Sequence, residues 1–345
     1  MPGPPDRLHH LLKQVGRSFS LTISILPPSL REPVGLAYLL ARAADTIADT
    51  RIIPRMERLR YLDLFRQEVQ GTASPDLPDV LQTLAGPQCL PAERELLARL
   101  PECFLLYRAL PEDDRGRIQG LLLTLTHGMQ MELRLFPGEN EGRLVALQTR
   151  ADLDRHTYFA AGCVGEFWTD MAMAHRPALH AWDAAAMGRR GVRFGQGLQM
   201  TNVLRDLAQD FRIGRCYLPR EDLDGLGLSP DDLLQPEAIG RLRPLLDQLL
   251  RLTLAHYAEG WAYTLAIPPR EVRMRLACAW PLLIGLGTLE RVQRACDLLD
   301  PRVIVKIPRR SVYAILVRSG ITAWSDRGLD RYYRALRGRV AQAMA

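Results

Sequence analysis

The sequence predicts an all-α protein, and three observations predict it. Apolar residues recur at three- and four-residue spacing in nearly every segment, strict alternation barely occurs, and Pro- and Gly-bearing stretches punctuate the periodic runs. At 345 residues, 47% hydrophobic and 24% charged, the chain is long enough for a sizeable core and too apolar to be disordered.

The spacing predicts helices over 33–48, 55–70, 92–99, 113–135, 147–174, 178–207, 236–264, 270–297, 312–317 and 330–341. The first opens at Pro33 and carries Leu36, Leu39, Leu40, Ala43 and Ile47 at helical intervals; the second closes before Gly71. Turn-rich stretches at 71–78, 137–142, 214–227 and 300–308 separate the others. The stretch Leu276 to Leu289 is the longest uncharged apolar one, and its 14 residues suit a buried core helix. With no linker long or polar enough to divide the chain and no internal repeat, we expect one domain over 1–345, with 1–15 and 336–345 peripheral.

Forty-five basic against 39 acidic residues give +6, nearly all from arginine, because Lys13 and Lys306 are the only lysines. The basic residues are spread out rather than clustered, which excludes an ordinary nucleic-acid interface. Arginine suits diphosphate recognition through its planar fork, although arginine-rich codon usage is the better account for the bulk of them. Six scattered cysteines without a C-x-x-C pair exclude a zinc site or a dense disulfide framework and suit a reducing cytoplasm. No secretory leader or run of 18 apolar residues occurs, so we expect a cytoplasmic protein, soluble or peripherally attached, without a transmembrane segment.

Both lysines lack the following Ser or Thr of a Walker loop; Gly195-Gln196-Gly197 and Gly285-Leu286-Gly287 lack the third glycine of a dinucleotide fingerprint. H-E-x-x-H and G-x-S-x-G are absent.

The D-x-x-x-D pattern occurs at Asp45/Asp49, Asp206/Asp210 and Asp326/Asp330. On a helix each pair puts two carboxylates one turn apart, at a cost of only about 0.2–0.5 kcal/mol when exposed, so context must decide. Asp326/Asp330, with a glycine between and an arginine after each, reads as a helix start or solvated surface. Tyr38, Arg42, Asp45 and Asp49 step by 4, 3 and 4 down an otherwise apolar helix; Gln199, Asn202, Asp206 and Asp210 step by 3, 4 and 4, with Arg205 beside them. Two such stripes facing one another would form a cage of hard oxygen ligands suited to Mg²⁺ and a diphosphate, and ionisation of that diphosphate would leave a carbocation needing dry, apolar walls. Phe19, Tyr158, Phe159, Phe167 and Trp168 suit such walls or plain core.

The segments GRSFSLTISILPPSLREPVGLAYLLARAADTIADT, HGMQMEL, DLDRHTYFAAGCVGEFW, GQGLQMTNVLRDLAQDFRIGRCYLP, LACAWPLLIGLGTLERV and VKIPRRSVYAIL resemble the squalene and phytoene synthases, from about Gly16 to Leu316. The resemblance implies an isoprenoid-synthase-type helical bundle around a central cavity. DTIAD at 45–49 and the VKI segment at Lys306 resemble squalene synthases more than phytoene synthases. The implied activity is head-to-head condensation of two farnesyl diphosphates to presqualene diphosphate, then NADPH-dependent rearrangement to squalene. The alternative is a non-reductive synthase yielding phytoene, dehydrosqualene or presqualene diphosphate.

By the same resemblance Asp45, Asp49, Asn202, Asp206 and Asp210 would hold Mg²⁺, with Mn²⁺ a substitute, and Tyr158 would serve proton loss. Arg17, Ser18, Phe19, Tyr38, Arg42, Gln199, Arg205 and Arg215 would contact substrate; Asn202 and Lys306 would serve the cofactors. Ala161, Gly162 and Gly165 would make room for prenyl chains or serve close helix packing. Ala277 stands where squalene synthases commonly carry phenylalanine, which touches the reductive half, and Trp280 is the nearby aromatic. We expect no nucleic acid or obligate protein partner, and peripheral membrane contact for product release.

Overall fold

The computed structural model describes the backbone of residues 4–72, 76–86, 90–136 and 143–344; the side chains of 4–9, 17–19 and 78 lie outside the described residues. In chain order the helices are α1 (Pro4–Val15), α2 (Arg17–Ile25), α3 (Pro28–Asp49), α4 (Arg55–Val69), α5 (Leu77–Leu84), α6 (Pro91–Ala98), α7 (Leu100–Ala109) and α8 (Glu112–Leu135). Strand β1 (Val145–Leu147) leads to α9 (Arg150–Thr157), a π-helical turn (Tyr158–Gly162) and α10 (Cys163–His175). Then come α11 (Ala184–Arg205), α12 (Leu207–Arg212), β2 (Arg215–Pro219), α13 (Arg220–Gly225), α14 (Ile239–Ala266), α15 (Val272–Arg294), α16 (Arg309–Thr322) and α17 (Asp326–Met344). The all-α expectation holds. The run expected as one helix over 147–174 instead begins as a strand and contains the π turn; α1, α2, α5, α7 and α13 went unpredicted, α13 lying in the stretch 214–227 expected to be turn-rich.

The chain packs as two compact units, Met1–Arg134 with Phe167–Trp182, and Leu135–Glu166 with Asp183–Ala345. In the first, α3 is the centre, because Leu36, Leu39, Leu40, Ala43, Ala44 and Ile47 are all buried against α1, α4, α6 and α7. Fully buried Arg58 of α4 donates to the Ala48 carbonyl at 2.8 Å, satisfying an acceptor in the last turn of α3. Phe65 and Phe104 meet with ring centroids 5.5 Å apart.

In the second unit α11, α14 and α15 pack together and α17 lies on α15. Tyr257 of α14 fits where Gly197 and Gly285 present no side chain: a Cβ on Gly285 would lie 1.9 Å from its hydroxyl oxygen. That hydroxyl shares a 2.8 Å hydrogen bond with Thr201. Trp261 stacks on Tyr333 at 4.2 Å and donates its indole N–H to Asp330 at 3.0 Å, while buried Arg275 pairs with Asp326. The third aspartate pair is therefore structural: Asp326 does begin a helix, as expected, and Asp330 is tied to the core rather than solvated.

Within the stretches 1–15 and 336–345, expected to be peripheral, Leu11, Leu12, Val15, Leu336 and Val340 are buried; their apolar spacing is that of amphipathic helices. Among the described residues α15 alone has the length and mean hydropathy of a membrane span, and 67% of its most apolar window is buried inside the protein, as a core helix would be.

β1 and β2 form a parallel pair, Val145 opposite Arg215 and Ala146 opposite Cys216, with a shift before Leu147 meets Pro219. All five residues of β2 are buried, which removes the alternation that would mark a strand. Gly214, at φ +79°, makes the turn into it.

Candidate active site

In the first unit the buried residues of α3 leave one polar stripe. Tyr38, Arg42 and Asp45 are half-buried on it and Asp49 is exposed. The Tyr38 hydroxyl donates to the Val15 carbonyl at 3.3 Å. Arg42 pairs through one nitrogen with Asp45 and through the other with Glu93 of α6. The carboxylate of Asp45 retains 41% of its surface. Crowding by protein atoms raises its pKa above the usual carboxylate value, Glu132 and Glu93 push the same way, and Arg42 opposes them. For Arg42 burial is the largest influence and lowers its pKa, yet Asp45 and Glu93 together outweigh it and hold the guanidinium above its ordinary value.

The second unit holds the other stripe. α11 ends at Arg205, Asp206 takes φ −102°, ψ 14°, and α12 begins at Leu207, so the expected continuous helix is jointed at its aspartate. Backbone continuity survives: the Asp206 N–H donates to Asn202 and the Asp210 N–H to Asp206, each at 2.9 Å. Arg205 grips Asp206 with two nitrogens, Nε to Oδ1 at 2.7 Å and Nη2 to Oδ2. This hydrogen bonding raises the Arg205 pKa, against burial, and Asp210 adds to it. Asn202 donates to Gln199 Oε1 at 3.3 Å. Arg215 is buried in β2.

Tyr158 begins the π turn in the same unit, and its hydroxyl donates to Glu166 Oε2 at 2.8 Å. Burial and Glu166 push its pKa up to about 12. Small residues here serve helix packing: a Cβ on Gly165 would lie 1.9 Å from the Gly191 carbonyl oxygen, and one on Gly195 would lie 2.1 Å from that of Ala161. The prenyl-room reading of Gly165 gives way to this contact. Ala277 is buried; Trp280 donates its indole N–H to Ser319 Oγ at 3.0 Å; Lys306 is exposed in the 300–308 loop.

Arg42 and Asp45 thus meet as the sequence spacing implies, as do Arg205 and Asp206, and Gln199 and Asn202. Arg17, Ser18 and Phe19 lie on α2, and their side chains are outside the described residues. The sequence reading did not name Glu93, Glu132 or Glu166. Glu132 and Glu166 sit inside the quoted segments HGMQMEL and DLDRHTYFAAGCVGEFW; Glu93 has no motif around it.

Hard carboxylate and amide oxygens are the donor set that Mg²⁺ takes. Among the described residues no three acidic, histidine or cysteine side chains form a ready-made metal cluster. Such a set fits an ion that arrives with substrate phosphates and keeps its waters, the usual manner of Mg²⁺.

The profile described as squalene/phytoene synthase matches residues 12–310. The chain belongs to the squalene/phytoene synthase family. Among curated relatives, the squalene synthase of Schizosaccharomyces pombe is 26% identical over 315 residues, covering 91% of this chain and 64% of that protein. The chain therefore spans just under two thirds of that relative's length. The presqualene diphosphate synthase of Zymomonas mobilis is 29% identical over 251 residues, 70% of this chain and 69% of that one. In fold, the chain is similar to the solved structure of TcSQS with the ligand E5700, at TM-score 0.76 and 23% identity, over 99% of this chain and 96% of that one. Membership makes it an enzyme of prenyltransferase type, in a family whose members differ in product.

Proposed function

We propose that this family member joins two farnesyl diphosphates head to head into presqualene diphosphate and reduces that product with NADPH to squalene. The observation that carries the reading is the pairing of an arginine with each aspartate stripe, Arg42 with Asp45 and Arg205 with Asp206, inside the span of the family match. Asp45 and Asp49 of the first unit, and Asn202, Asp206 and Asp210 of the second, would each serve as Mg²⁺ ligands. Exposed Lys306 fits a charge contact with one phosphate of the dinucleotide. When bound, Mg²⁺ supplies neutralisation of the leaving diphosphate and NADPH supplies the hydride.

The protein's own groups act around those partners. Arg42 and Arg205, now bound to carboxylates, turn their forks to diphosphate oxygens as these arrive. The C1–O bond of the first substrate breaks with its electron pair leaving on diphosphate, and the double bond of the second attacks the allylic cation. Tyr158 already directs its proton at Glu166, so its oxygen can accept the proton lost on cyclopropane closure while its own passes to Glu166. Tyr38, bonded to the Val15 carbonyl, keeps the α3 stripe in place against α1.

A second reading stops at a non-reduced product. It is favoured by buried Ala277, by Trp280 being engaged with Ser319, and by the similarity to a presqualene diphosphate synthase. Incubating the protein with farnesyl diphosphate and Mg²⁺, with and without NADPH, and identifying the lipids by mass spectrometry separates the two. Squalene formed only with NADPH supports the first. Presqualene diphosphate, dehydrosqualene or hydroxysqualene formed regardless of NADPH supports the second, and no condensation product overturns both.

A further inference from the structure

α16 is amphipathic the wrong way round for a helix that only packs on its own protein. Its buried side is narrow, Ile315 and Ser319, the latter accepting from Trp280. Its opposite side is apolar and open: Tyr313, Val317 and Ile321 follow at four-residue spacing and are 65%, 64% and 75% exposed, and Trp324, just past the helix, is 68% exposed. Helical spacing puts all of them within one sector of about 80°. Ile304, 64% exposed, precedes the helix. Scattered exposed apolar residues are ordinary, but an aligned row is the mark of an interaction surface.

The charge around the row selects the partner. From Arg302 to Ser325 the chain has five basic residues, Arg302, Lys306, Arg309, Arg310 and Arg318, and no acidic one. Arg309 and Arg318 fall on the two flanks of the apolar sector and Arg310 at its first turn. The Arg318 guanidinium lies 4.7 Å from the centre of the Tyr332 ring, which fixes its stem along that flank. Arg302 is held by Asp300, which leaves Arg309, Arg310 and Arg318 as the basic border of the helix face; aliphatic residues with Tyr and Trp, bordered by these arginines, match the layered chemistry of a lipid surface: acyl boundary, interfacial aromatics, anionic headgroups. A second copy of the chain would bring the same positive charge to the contact and be repelled.

We propose that α16 lays its Tyr313–Trp324 face into an anionic bilayer surface. The inference does not rest on the reaction proposed above. Its test is flotation of the full chain with phosphatidylcholine vesicles and with the same vesicles containing phosphatidylglycerol. The protein floats with the anionic vesicles and not with the neutral ones, and salt weakens the binding. The combined variant Val317→Ser, Ile321→Ser, Trp324→Ser binds at least about tenfold less, as does Arg309→Gln with Arg310→Gln. All five side chains are exposed, and unchanged circular dichroism and melting verify the fold of each variant. Absence of flotation with anionic vesicles, or equal binding by the serine variant, overturns the proposal. So does a dimer in light scattering that the serine substitutions dissociate, which would give the face to a second copy.

Discussion

The Tyr158 hydroxyl donates to Glu166 at 2.8 Å across the π-helical turn, so the phenol and its acceptor are held on one continuous stretch of helix eight residues apart. Burial first, and Glu166 second, push Tyr158 up to about 12. In Glu166→Gln the phenolate should form at lower pH than in the parent, yet still above pH 10 because burial remains; ultraviolet difference titration against Tyr158→Phe reads this. The folded value lies above the ordinary one, so the contribution of Tyr158 to stability is complete below about pH 10 and is lost as pH rises through about 12. Tyr158→Phe should lower turnover by about a hundredfold or more while leaving the fold unchanged.

Asp49→Asn and Asp206→Asn should each cut turnover at saturating Mg²⁺ by about a hundredfold or more, with circular dichroism unchanged. The Arg205–Asp206 pair is about a third exposed on both sides, so its loss should alter stability by no more than about 1 kcal/mol. A protein that keeps full turnover with either substitution has no metal role for that carboxylate.

Gly165→Ala should be among the most damaging single changes. Its new Cβ would stand 1.9 Å from the Gly191 carbonyl oxygen, and neither backbone can give without separating two helices. A loss of about 3 kcal/mol or more is expected from urea unfolding, against little effect for Gly240→Ala, whose Cβ would meet nothing within 4 Å.

His256 supplies a stability change with pH. Burial, with Arg193 adding and Asp154 opposing, lowers its pKa to about 4. The unfolded chain binds the proton more readily, so stability is complete above about pH 6.5 and falls as pH drops toward 4, by about 2–3 kcal/mol in all. Denaturation midpoints between pH 7 and pH 4 should show this decline, and His256→Gln should flatten it.

The stripe on α3 was legible because one residue type every three or four positions is what a helix with a single wet face requires; Leu36, Leu39, Leu40, Ala43, Ala44 and Ile47 are buried, and Tyr38, Arg42 and Asp45 are half-buried. The partner of Arg42 was not, since Glu93 lies 51 residues away on another helix. The strands were hidden for a related reason: full burial of Arg215 to Pro219 erases alternation, and Val145 to Leu147 is too short to show any. The joint at Asp206 left no trace in the spacing, because the hydrogen bonds from Asn202 through Asp210 keep the helical interval while the dihedral angles depart from it.

That joint changes what holds the second aspartate. Asp206 is carried by the end of a 22-residue helix, whereas Asp210 rides on a six-residue segment whose far end is pinned by the turn at Gly214 and by the Val145 N–H bonded to the Gly214 carbonyl at 3.1 Å. The distance between the two carboxylates is thus gauged against a strand ladder as well as along a helix. Three residues near position 146, far from Asp206 and Asp210 in sequence, act as the fixed jaw of a caliper, and a proline or glycine placed there should disturb ligand spacing before it disturbs the helices.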